Sequence, residues 1–110
     1  MFDINSLLGR VTEIKARVNE IKSELSEVKV HHRDQEGLVE VTVRADKRLD
    51  AINITESGRA LAAETLQVLL VSTINEALEK AQQAGKEKMK QRLAEEYPSV
   101  AGMDLSKFLD

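Results

Sequence analysis

The chain has 110 residues, with 16 Lys and Arg against 19 Asp and Glu, a formal net charge of −3 and no cysteine. This composition excludes disulfides, thiolate metal sites and a cysteine nucleophile, and it argues against strong general binding of nucleic acid over the whole surface. No apolar run reaches the roughly 18 residues of a membrane span, and Met1-Phe2-Asp3 has no basic region leading into an apolar stretch. One cytoplasmic domain over residues 1–110 is therefore expected.

The first element is a helix over about residues 4–27. Ile4, Leu7, Val11, Ile14, Val18, Ile21, Leu25 and Val28 alternate spacings of three and four, an unbroken aliphatic heptad seam. Asp3 or Asn5 can cap its start. The period then drops to two. Strands are expected at about 28–33, 38–45 and 49–55, with turns at "DQEG" (34–37) and "ADKR" (45–48). Val39, Val41 and Val43 share one face of the middle strand. Short connections make the three strands an antiparallel meander. A second helix is expected over about 60–96, ended by Tyr97-Pro98. It is apolar nearly all round between 61 and 78, where Val68, Val71 and Leu78 add to the main stripe. Beyond residue 80 it thins to Ala81, Ala84, Met89 and Leu93. A mixed tail fills about 97–110. The fold class is α+β, in the order α-β-β-β-α.

The charges beside the seam say what covers it. The flanking e positions are Lys15, Lys22 and Lys29, and the g positions are Arg10, Arg17 and Glu24. A parallel self-zipper would oppose Arg10 to Lys15 and Arg17 to Lys22, each repulsive by ~0.5 kcal/mol. The seam is expected to meet the second helix instead, antiparallel. A seven-residue strand spans about 23 Å, or about 15 helical residues. Residues 61–76 would then cover the sheet, and 77–93 would lie on the seam, with Val11, Ile14 and Val18 against Ala81, Ala84 and Met89. The surplus apolar positions Val68, Val71 and Leu78, together with the sheet residues Val39, Val41 and Val43, are assigned to a homodimer interface.

No catalytic constellation, cofactor site or phosphate loop is legible, so the chain is not expected to be an enzyme or to bind a small-molecule substrate. His31 and His32 are adjacent in a strand and point to opposite faces, which does not suit one metal ion. Glu13, Glu20 and Glu27 fall at solvated c positions. Ser57 is a candidate N-cap before the second helix. Residues 80–92 hold Lys80, Lys86, Lys88, Lys90 and Arg92 against Glu87, a net +4. In the antiparallel arrangement they lie beside Arg10, Lys15, Arg17 and Lys22. These nine residues form a candidate basic arm on an acidic protein, and are the candidate binding set for a polyanion. Arg44, Lys47 and Arg48 on the sheet turn are secondary to them.

"GLVEVTV", "LDAINI", and above all "STINEALEKAQQAGKEKM" followed by "AGMDL" resemble the YbaB/EbfC family of bacterial nucleoid-associated proteins, over about residues 14–105. The resemblance implies a tweezer-shaped homodimer whose paired helices are the arms. It also implies binding of double-stranded DNA in the nucleoid with little sequence preference, and neither enzyme activity nor cofactor. The chain departs from the family pattern at its turns, with Ala45-Asp46 in the hairpin and Ser106-Lys107 after the last Met-x-Leu. The contrasting reading is an acidic dimeric protein-binding module, chaperone-like, without DNA.

Overall fold

The computed structural model describes residues 4–97, with side chains from Leu8 onward. The expected tail beyond Tyr97 and the cap at Asp3 lie outside the described residues, as do the side chains of Ile4, Asn5 and Leu7; Asn5 is within helix α1 rather than at its cap. Helix α1 (Ile4–Glu24) runs into a 3-10 turn at Leu25–Glu27. Strands β1 (Lys29–Arg33), β2 (Val39–Arg44) and β3 (Leu49–Ile54) follow, then the one-turn helix α2 (Glu56–Arg59) and the long helix α3 (Ala63–Glu96).

The sheet is an antiparallel meander in the order β1-β2-β3. Val30 stands opposite Val43, and His32 opposite Val41. Val39 stands opposite Ile54, and Val41 opposite Ile52. These residues share one face, and α3 lies across it. Val39, Val41 and Val43 are fully buried there with Ala77 and Ala81, flanked by Leu66, Leu69, Leu70, Ile74 and Leu78. Burying a valine stabilises by about 1.5–3 kcal/mol, so this central strand carries much of the core. It also means that the three valines are interior to their own chain. They offer no surface to a second subunit, and that part of the expected interface is corrected.

Local chemistry sets the connections. Asp34 accepts from the N–H groups of Glu36 (3.1 Å) and Val39 (2.7 Å) and so closes the β1–β2 turn. Gly37 supplies the positive φ of 71°. Partial desolvation opposes the Asp34 charge, but the backbone donors outweigh it and hold the carboxyl below its ordinary value. After β3, the Thr55 hydroxyl accepts from Gly58 N at 3.1 Å and caps α2; Ser57 lies inside α2, and the long helix α3 starts after Ala62 with no side-chain cap. Gly58 lies against Leu38, the residue before β2: a Cβ there would sit 2.6 Å from the Leu38 carbonyl oxygen.

Because α2 takes up residues 56–59, α3 starts at Ala63, and its sheet-covering stretch extends to Ala81. Gly85 then passes the end of the sheet beside Ala45 and Leu25. Only beyond it does α3 meet α1. Val18 and Ile21 pack with Met89 and Leu93, bordered by Ile14 and Tyr97. The expected pairing of Val18 with Met89 is present. Ala81 belongs to the sheet core instead, about one turn from where the strand length placed it. Leu8 and Val11 overhang this contact and stay 57% and 37% exposed. The result is a rod of 70 × 19 × 18 Å. Its radius of gyration is 19.1 Å, against about 13 Å for a compact chain of this length.

Candidate nucleic-acid interface

The α1–α3 pair forms an arm, and its buried stripe decides which charges share a side. On α3 the stripe is Ala81, Gly85, Met89 and Leu93, spaced by four. Residues one position later, Gln82, Lys86 and Lys90, form one exposed flank. Residues one position earlier, Ala84, Lys88 and Arg92, form the other and are half-buried. On α1 the e positions Lys15 and Lys22 lie on one side of the seam, and the g positions Arg10, Arg17 and Glu24 on the other. Antiparallel packing sets e beside the Lys86 flank and g beside the Arg92 flank.

The g flank is internally paired. Arg17 donates to the Glu96 carboxylate in a fork from Nε and Nη2, and to Glu20 from Nη1. Arg92 donates to Glu24 Oε2 and approaches Glu96 at 3.6 Å. Hydrogen bonds from Arg17 are the main reason that the Glu96 carboxyl lies below its ordinary range, with both guanidinium charges adding to the effect. The Arg17 pKa is raised in return by Glu96 and Glu20. Two arginines thus face three carboxylates, and this side presents no free positive charge from Arg17 or Arg92.

The e flank is different. Lys22, Lys47 and Lys86 line one groove of about 50 Å³, walled by Leu25, Ala45, Gln82, Gly85 and Met89. Lys90 continues it one turn along α3, and Lys15 two turns back along α1. Among the described residues, none of Lys15, Lys22, Lys47, Lys86 and Lys90 has a carboxylate within ion-pair distance. Lys47 comes from the sheet turn, which sequence reasoning set apart from the arm. Gly85, four residues after Ala81, was the available signal that the turn and helix approach closely.

The other candidates separate. Arg10 is exposed near the overhanging end of α1, and Lys88 is half-buried on the paired side. Lys80 is engaged with the sheet: its Nζ donates to His32 Nδ1 at 3.0 Å, while His32 Nε2 donates to Glu76 Oε2 at 2.8 Å. That arrangement specifies the neutral Nε2–H tautomer. His31 turns to the opposite face, against Thr42 Oγ1 at 2.9 Å. A larger open cleft of about 590 Å³ lies between the β1–β2 turn and α3. Asp34, Glu36 and Glu76 line it, which makes it unsuited to phosphate.

The first half of α3 carries an apolar surface. Val68 is 70% and Val71 61% exposed. Leu49 and Ile52 on the edge strand β3 are also exposed. Leu78 is half-buried against the chain's own core.

These features define a class: a small α+β protein whose charged surface is a helical arm. The chain belongs to the YbaB/EbfC DNA-binding family, whose description matches residues 1–96. That family is nucleoid-associated and DNA-binding, not enzymatic. The chain is similar to a protein of Flavobacterium johnsoniae named "Nucleoid-associated protein", with 28% identity over 102 residues that make up 93% of this chain and 95% of the relative. Its fold is similar to the crystal structure of an uncharacterized protein from Helicobacter pylori, with a TM-score of 0.68 and 18% identity, covering 84% of this chain and 99% of the other.

Proposed function

We propose that this protein is a nucleoid-associated protein that binds duplex DNA with low sequence specificity, as a homodimer, through the lysine flank of its arm. The observation that carries this reading is the sidedness of the arm. Lys15, Lys22, Lys47, Lys86 and Lys90 are held on one flank with no carboxylate in ion-pair distance among the described residues, on a chain whose net charge is −3. Ammonium groups neutralise phosphates as point charges and release condensed counterions, which supplies affinity without base information. The near absence of aromatics removes the stacking platforms that single-strand binders use.

The apolar surface at Val68, Val71, Leu49 and Ile52 supports self-association. A twofold pairing there would cover apolar area that water otherwise meets, and would leave the α1–α3 arms projecting. No described helix is long and apolar enough to cross a membrane. The reading places the protein in the cytoplasm, on the nucleoid.

The test is duplex affinity across a salt series. Each phosphate contact multiplies the loss between 50 and 200 mM salt by roughly 3.5-fold, so several contacts give a steep salt dependence, with little dependence on DNA sequence. Absence of binding at low salt would reject the DNA reading in favour of a protein-binding module. Light scattering tests the assembly: Val71→Asp should convert a dimer to monomer or aggregate, and a stable wild-type monomer at micromolar concentration would remove the dimer.

A further inference from the structure

We infer that the groove at the root of the arm, where Lys22 of α1, Lys47 of the β2–β3 turn and Lys86 of α3 converge, is a seat for one backbone phosphate of duplex DNA. The inference rests on the DNA-binding reading and adds a fixed anchor to it, supplied jointly by the sheet and the two helices.

Three observations converge. First, the groove is lined by three lysines and by no carboxylate. Asp46, next to Lys47, is occupied by Arg44, accepting from Nη2 at 2.8 Å and from Nε at 3.1 Å; Glu79, which lines a second pocket with Lys47, and Glu87, next to Lys86, make no ion pair with the three lysines. Three unneutralised ammonium groups around one groove repel each other in the free protein, and one phosphate relieves all three repulsions at once.

Second, the backbone of Lys47 has φ of 70°, and it is the single non-glycine residue with positive φ among the described residues. At the left-handed position that ends a hairpin turn, glycine or asparagine is the low-cost choice. Lysine accepts backbone strain there, and strain of this kind concentrates where a side chain is held for a task. The turn itself is fastened by Lys47 N donating to Arg44 O at 3.0 Å and Arg44 N donating to Arg48 O at 2.8 Å.

Third, α3 passes the turn at van der Waals range at Gly85. A Cβ at that position would stand 3.4 Å from the Ala45 carbonyl oxygen and 3.5 Å from the Ala45 Cβ. The close passage brings Lys86, the next residue, to the groove that Lys47 lines.

The experiment is a salt series of duplex affinity by fluorescence anisotropy, on wild type, the Lys22→Gln/Lys47→Gln/Lys86→Gln triple variant, and Lys47→Gly. If the three lysines share one phosphate, the triple variant loses one contact. Its log–log salt slope then becomes shallower by ~0.9, and its affinity penalty between 50 and 200 mM shrinks by roughly 3.5-fold relative to wild type. Three separate phosphates would change the slope by ~2.7, and that result overturns the shared seat, as does an unchanged slope. Lys47→Gly removes both the charge and the strain, so its melting temperature should rise while its affinity falls. Unchanged affinity in Lys47→Gly overturns the assignment of Lys47. Wild type that binds no duplex at low salt defeats the DNA-binding reading itself and the groove's occupant with it. Wild-type binding with unaltered variants defeats the groove alone.

Discussion

On one side of the arm, Arg17 and Arg92 pair with Glu20, Glu24 and Glu96; on the other, Lys15, Lys22, Lys86 and Lys90 make no ion pair among the described residues. Both sides flank the same aliphatic seam, so hydrophobic packing does not distinguish them. What differs is the neighbour that the antiparallel register supplies. Glu96 arrives beside Arg17, and Glu24 beside Arg92, while the opposite flank meets Lys86 and Lys90. Arginine's planar fork suits the bidentate pairing seen with Glu96, whereas lysine leaves a mobile, hydrated point charge suited to a phosphate. Counting basic residues on the arm therefore overstates its working charge.

The largest effect should come from reversing the unpaired flank. Lys22→Glu with Lys86→Glu and Lys90→Glu should weaken duplex binding by roughly a hundredfold or more at 50 mM salt, with circular dichroism and thermal melting close to wild type. Equal loss from charge changes confined to the g flank would erase the distinction between the sides. A second substitution removes the frame on which both flanks depend. Leu93 is fully buried between the helices, and Leu93→Ala should cost about 2–5 kcal/mol. Hydrogen exchange should then show loss of protection concentrated in α1 and the last turns of α3, with β2 still protected. Uniform loss over sheet and arm would show that the arm has no independent opening.

Smaller effects belong to the paired flank. Arg17→Gln with Arg92→Gln should lower the melting temperature only slightly, since solvent-exposed pairs are screened. Duplex affinity should change less than twofold. A tenfold loss would move the DNA contact to this side. The pH dependence should be the smallest signal. The folded-state pKa of Glu96 is lowered, chiefly by its hydrogen bonds from Arg17. The unfolded chain therefore takes up that proton at higher pH than the folded one. The pair contributes at neutral pH, starts to be lost as pH falls into the ordinary carboxylate range, and is gone below the folded-state value. Asp34 and Asp46 are shifted in the same direction. Melting curves between pH 7 and 3 should consequently fall less steeply for Glu96→Gln than for wild type. Parallel curves would mean that the ion pair adds nothing in solution.

Periodicity carried most of the architecture. The switch from heptad spacing to alternation at Val28 and back to helical spacing after Thr55 laid out the order of elements, because side-chain direction repeats every 3.6 residues in a helix and every two in a strand. The charges at e and g were enough to direct the seam of α1 toward α3. Local chemistry was less visible. Thr55 as a cap, and the single turn of α2, depend on Gly58 fitting under the Leu38 carbonyl, a contact between distant residues that no spacing rule encodes.

The candidate site divides in the same way. That basic residues gather on α1 and on residues 80–92 could be read directly from the chain, since both stretches are helical and each flank follows from the position of its apolar stripe. Which of them remain available could not. Glu96 meets Arg17 across 79 positions, and Arg92 meets Glu24 across 68; Lys47 joins Lys22 and Lys86 only because α3 passes beside the β2–β3 turn. The burial of Val39, Val41 and Val43 beneath α3, rather than beneath a second subunit, was likewise decided by where α3 begins and lies. Sequence determines the charge and polarity of each face, because those follow from one residue and its period. The fold alone decides which faces neutralise or cover one another, because that depends on register between segments far apart in the chain.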